Sequence, residues 1–245
     1  MIFSISEMFS VKQLLSSRNE TAFCKLYNLH TPAVFGLAMQ LTAGDKLTAE
    51  EMVKNTWIAA VKNIASVSWK SQLRTLLIKT LINFSREYYH KQKYYMLIHD
   101  DFSERLANRT SDFKGLGERM DIESTFSFLP IGYRHVFVLH DIIGYKHPQI
   151  SGLLKLTEGT SRSQLFKVRK ILRQILHLSL LSEVNQYAEW NESEKKTFKT
   201  VYNNVVPSQE LRQEVVKELK DMELINTEDP AFSWMRFPAH AVRST

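Results

Sequence analysis

The sequence predicts an all-α protein, with two helical modules joined by a linker and followed by a helical C-terminal extension. Three observations carry this expectation. Nearly all the apolar periodicity lies close to 3.6 residues. A polar stretch with glycine breakers divides the chain near its middle. Beyond it, a short helical pattern, a tight break and a longer basic helical pattern follow in the order of a helix-turn-helix.

Taken in order, Pro32 stands at the expected start of a helix whose apolar face is Val34, Leu37, Ala38 and Leu41, ending near Gly44. Proline suits a first helical position because its missing N–H would have no intrahelical partner there. Thr48 and Glu51 have the spacing of a capping box. The helix they would open carries Val53, Trp57, Ala60 and Ile64 on one face. A longer helix, roughly Trp69 to Tyr94, has an apolar stripe at Leu73, Leu76, Leu77, Thr80, Leu81 and Phe84. Each buried Leu or Phe of that stripe is worth about 1.5–3 kcal/mol, so it is a strong packing face. These elements make a first module, 1–96. The polar stretch 97–120 is the expected linker.

The second module, 121–182, opens at Leu129-Pro130 and runs through Tyr133, Val136, Phe137, Leu139, His140 and Ile143 to Gly144. A short helix is expected from Pro148 to Leu154, then a longer one from about Glu158, with Thr157 as its N-cap. The remainder, 183–245, holds an amphipathic helix after Pro207 (Leu211, Val215, Leu219) and an aromatic end, Phe232 to Phe237. Two readings fit it: a stabilising appendage, or a regulator in cis that covers a DNA- or polymerase-binding surface.

Bulk properties bound the function. A net charge of +6 and a pI near 9.3 favour a polyanionic partner, nucleic acid or an anionic surface. With Cys24 as the single cysteine, no intramolecular disulfide can form, which fits a reducing cytoplasm. No uncharged apolar run is long enough for a bilayer, and the N-terminus lacks a basic region followed by an apolar one. The expectation is a cytoplasmic protein without membrane insertion.

Two cationic faces are candidates for binding. On the long helix of the first module, Lys79, Asn83, Arg86, His90 and Lys93 are spaced four, three, four and three apart, with tyrosines among them. Cations that hold phosphates beside rings that stack on bases suit single-stranded nucleic acid. An ordinary solvated helix face fits the same spacing. In the second module, the first turn of the basic helix would present Ser161, Arg162 and Ser163 to base edges. Lys167, Arg169 and Lys170 would follow as phosphate contacts, and Arg173 extends the face. A basic helix that binds a protein is the alternative.

No catalytic or metal site is expected, nor a cofactor or small-molecule substrate. His135 and His140 are five apart, not the four that aligns two imidazoles on a helix. No glycine loop cradles a phosphate. Cys24 lies on an apolar helical pattern, which suits a core residue.

The residues of both modules resemble one family, the bacterial RNA polymerase sigma factors of the extracytoplasmic-function group. Leu129-Pro130…Tyr133-Arg134-His135-Val136-Phe137 and Gly144 to Ile150 are similar to its region four, and Glu158 to Lys170 is the nearest stretch. Glu20-Thr21-Ala22-Phe23…Leu26-Tyr27 and Ala49 to Trp57 resemble region two. The likeness spans roughly Val11 to Leu178. It implies a protein that binds core RNA polymerase and directs promoter recognition and opening. Glu51, Met52, Lys54 and Asn55 fall on the polymerase-binding helix. Lys79, Asn83 and Arg86 fall where the minus-ten element is read and melted. Arg162, Ser163, Lys167 and Arg169 fall on the helix that reads the minus-thirty-five element. The chain departs from the family pattern at several places. The Trp, Asn and Asp of the region-two melting motif are replaced, Lys54 stands for a usual Gln, and Lys155 stands where the turn often has glycine. Two other readings fit the residues: a sigma-like protein that binds polymerase or an anti-sigma factor without initiating, and a helix-turn-helix repressor.

Overall fold

The computed structural model describes residues 5–64, 73–96, 129–175 and 205–226, with Lys196, Phe198 and Tyr202. Among the described residues every named element is helical, as the periodicity predicts. The expected linker 97–120, the start of the second module and the Phe232–Phe237 segment lie outside them.

The first group is α1 (Ile5–Ser17), α2 (Glu20–Thr42), α3 (Lys46–Lys62) and α4 (Leu73–Met96). Asn19 starts α2 by accepting from the Ala22 amide at 2.9 Å. Pro32 therefore sits inside a 23-residue helix, not at its start. An interior proline costs about 3 kcal/mol. Burial of Phe23, Leu26 and Tyr27 before it and of Val34, Phe35 and Leu37 after it holds both halves in one element. The start of α3 is also earlier than the capping-box pattern predicts. Asp45 accepts from the Thr48 amide (3.2 Å) and from its hydroxyl (2.6 Å), so Asp45 is the cap. A charged acceptor is the stronger partner for an orphan amide. The core is centred on Trp57, which meets Phe23 edge-on at 5.5 Å and donates its Nε1–H to Thr31 Oγ1 at 3.0 Å. Leu73, Leu77 and Leu81 of α4 are buried against it.

The second group is α5 (Ile131–Phe137), a π-helical turn (Val138–Ile142), α6 (His147–Leu154) and α7 (Glu158–Ile175). The π turn ends at Gly144 (φ 89°), where the amides of Gly144 and Tyr145 close on the carbonyls of His140 and Leu139. A side chain at that φ would be strained. The short helix and the Thr157 cap lie where the sequence places them: Thr157 Oγ1 accepts from the Thr160 amide at 3.0 Å. Lys155 adopts the left-handed conformation, φ 55° and ψ 49°, that ends α6.

The two groups touch. α4 packs on α6, and α2 on α5. Arg134 donates to the Leu41 carbonyl at 3.1 Å, and Ser85 Oγ lies 2.7 Å from His135 Nε2. The last element, α8 (Gln209–Asp221), is capped by Ser208 and packs on α3 through Leu211, Val215 and Leu219.

Candidate nucleic-acid interface

In α7 the buried stripe is Ser161, Leu165, Val168 and Leu172, spaced four, three and four apart. That register directs other side chains outward. Arg162, Ser163, Lys167 and Lys170 are exposed, with Phe166 among them at 40% exposure. On this face Arg162 pairs with Glu158, one turn back on the same helix, at 3.4 Å and with both side chains well exposed. Such pairs contribute little and are easily exchanged for a better anion. Arg173 has its side chain outside the described residues.

Two residues expected on this surface point elsewhere. Ser161 is fully buried, and its hydroxyl lies 2.8 Å from His147 Nδ1, joining the starts of α6 and α7. It shares the register of Leu165, a signal already present in the spacing. Arg169 also follows Leu165 by four and borders the buried stripe. It forms a bidentate pair with Asp141 in the π turn: Nε to Oδ2 at 2.9 Å and Nη2 to Oδ1 at 2.6 Å. Asp141 is also 2.7 Å from His140 Nδ1. Burial alone would raise the Asp141 pKa, but the hydrogen bonds from His140 and Arg169 outweigh it and hold the carboxyl below its ordinary value. His140 stacks on His147 with ring centres 4.7 Å apart. Burial, together with electrostatic repulsion from His140, Arg162 and Arg169, lowers the His147 pKa. The π turn, α6 and α7 are thus tied beneath the exposed face by Asp141, Arg169, His147 and Ser161. The sequence reading missed this tie, because Asp141 lies 28 residues from its partner.

On α4, Lys79 and Asn83 are exposed. Arg86 is half-buried and donates to the Leu153 carbonyl at the end of α6 at 2.9 Å, with Glu87 3.7 Å away. The side chains of His90 and Lys93 lie outside the described residues, as do those of Tyr89, Tyr94 and Tyr95. Tyr88 is described and faces Thr48 at 3.4 Å.

On α3, Glu51 is exposed and Asn55 partly so, whereas Met52 is buried at 3%. Lys54 is partly covered and lies 3.8 Å from Glu214 of α8. No group of three or more His, Cys, Asp or Glu side chains among the described residues is arranged to hold a metal ion. No helix among them is long and apolar enough to cross a membrane.

A family model described as Sigma-70, region 4 matches residues 119–172. None of the curated proteins matches the sequence. A solved structure described as the co-crystal structure of the sigma factor RpoE in complex with the anti-sigma factor NepR from Bartonella quintana is similar over 64% of this chain and 98% of that one. The identity is 20% and the TM-score 0.45, a score that does not by itself establish a shared fold. The segment that folds into α5, the π turn, α6 and most of α7 therefore matches sigma-70 region 4, the family its residues resemble.

Proposed function

We propose that this chain is a sigma factor of the extracytoplasmic-function type, acting in the cytoplasm. It binds core RNA polymerase, positions it on promoter DNA and captures unpaired bases as the promoter opens. The observation that carries this reading is the outward face of α7. Arg162, Ser163, Lys167 and Lys170 are exposed on the second helix of a helix-turn-helix in a segment that matches region 4. Helix-turn-helix units insert that second helix in the major groove, its N-terminal residues at base edges. Arg162 and Ser163 occupy the first turns of α7 and are assigned to base contacts; Lys167 and Lys170 are assigned to phosphates.

Lys79 and Asn83 on α4 are assigned to the separated strand, and Glu51, Lys54 and Asn55 on α3 to polymerase. Arg86 would join the α4 surface once α6 moves off it. The protein would perform no covalent chemistry and take no cofactor; opening would draw on binding energy. An anti-sigma factor is the kind of inhibitor such a chain would take.

The test is run-off transcription with purified core polymerase and a panel of promoter fragments. Added chain should produce specific transcripts, and Arg162→Ala should lower selectivity for the upstream element at fixed salt. Lys170→Ala should instead reduce the slope of log affinity against log salt by about one unit. Polymerase binding without transcripts would leave a sigma-like binding protein. Absence of both would end the reading.

A further inference from the structure

From the contacts of the C-terminal extension we infer that α8 is a built-in competitor of polymerase for one edge of α3. The inference rests on the assignment of α3 to polymerase binding. Phe198 meets Phe137 of the second group edge-on, with ring centres 5.1 Å apart. The Tyr202 ring then closes on Gly44, where an added Cβ would lie 3.0 Å from it. From there the chain reaches α3. The Ser208 amide donates to Glu50 Oε1 at 2.7 Å, and Glu214 sits 3.8 Å from Lys54 Nζ. At the far end, Lys220 pairs with Glu20 of α2 at 2.9 Å. The described residues of the extension thus touch both helical groups, and α8 lies along α3.

What it covers is selective. Glu50 and Lys54 are successive positions on one edge of α3, and α8 holds both. Leu47, Glu51 and Asn55 follow the same four-residue spacing on the neighbouring edge. There Leu47 is 81% exposed and Glu51 is open. Of the three residues assigned to polymerase, α8 therefore contacts Lys54 and leaves Glu51 open. An incoming partner can seat on Leu47 and Glu51 first and then displace α8 from Lys54.

The way α8 is held suits displacement. Its apolar anchors on the bundle are Leu211, Val215 and Leu219, with Val216 partly buried beside them, and just past its end Arg18 donates to the Glu223 carbonyl at 2.6 Å. The Lys54–Glu214 pair is long, and Glu214 is 61% exposed, so it is screened and readily exchanged. Polymerase affinity is then reduced by the fraction of molecules in which α8 is docked.

Full-length variants test this by direct titration with core polymerase. Val215→Asp, which places a charge in the buried stripe, should release α8 and tighten binding roughly tenfold or more. The opposite arm locks α8 down. Cys24 of α2 and Val216 of α8 line the same cleft, so Val216→Cys offers a second thiol for a short bismaleimide. The cross-linked form should bind polymerase at least roughly tenfold more weakly than the same variant before cross-linking. Equal affinities in all forms would overturn the competitor role while leaving the sigma reading intact. If no form binds polymerase, the sigma reading itself has failed and takes this inference with it. Should Val215→Asp unfold the chain, as circular dichroism would reveal, the cross-linked form decides: unchanged affinity overturns the inference.

Discussion

Helices α4 and α7 each carry a cationic stripe at helical spacing, yet their side chains have different fates. On α7 the stripe divides by depth. Arg162, Lys167 and Lys170 are left to solvent, and Arg169 is drawn onto Asp141. On α4 it divides by neighbour. Lys79 and Asn83 are exposed, and Arg86 is held on the Leu153 carbonyl of the adjacent group. The α7 arginine braces its own helix-turn-helix. The α4 arginine links one group of helices to the other, so its contact is the one that motion between them would break. Charge alone does not mark a binding residue; a cation is available to a polymer only where no buried acceptor claims it.

The largest expected effect breaks the α7 side of this contrast. Arg169→Ala leaves Asp141 buried at 2% side-chain exposure without its bidentate partner. Stability should fall by about 3–5 kcal/mol, read from the urea midpoint. Lys170→Ala, on the exposed face, should leave that midpoint within about 0.5 kcal/mol of the parent. Next comes the α4 side. Arg86→Ala removes a charge-assisted hydrogen bond and should cost about 1.5–3 kcal/mol. It should also speed amide exchange in α6, whereas Lys79→Ala should change neither.

A smaller effect of opposite sign is expected at the turn between α6 and α7. Lys155 holds a left-handed conformation at φ 55°. Lys155→Gly relieves that strain and should raise the thermal midpoint, by about 1 kcal/mol of stability.

The smallest effect is the response to acid. His147 is lowered in the folded protein, so the fold favours its neutral form. Its contribution is complete above the unfolded value, near about 6.5, and is lost as pH falls through the folded value. Asp141, also lowered, contributes fully above its unfolded value near about 3.9 and loses that contribution as pH falls through its folded value. Denaturation at pH 7 and pH 5 should therefore show a decline from His147 before Asp141 contributes. His147→Asn should flatten the step between those two pH values and leave the more acidic loss in place. An unchanged step would remove His147 as its source.

Much of the helix-turn-helix was legible in the sequence because its signals are local. Thr157 caps α7 through its own third residue onward, and Gly144 ends the preceding helix by its backbone freedom. Ser161 was expected at base edges, yet its inward turn follows from its keeping step with Leu165, Val168 and Leu172. The burial of Met52 follows from its place beside Ala49, Val53 and Thr56. Other features had no local signal. Pro32 reads as a helix start, and only packing on both sides of it makes one continuous α2. The cap of α3 went to Asp45 because a carboxylate three residues ahead outcompetes the Thr48 hydroxyl.

By itself the sequence determined helical class, the order of short and long helices around the turn, and the cationic character of two faces. Those depend on interactions within a few residues along the chain. Tertiary structure alone decided which cations stay free, which acceptor claims Arg86, and where α8 lies. The contact from Ser208 to Glu50 spans 158 residues, and the one from Arg86 to Leu153 spans 67. Spacing along a helix says which way a side chain points, but not what the rest of the chain will bring to meet it.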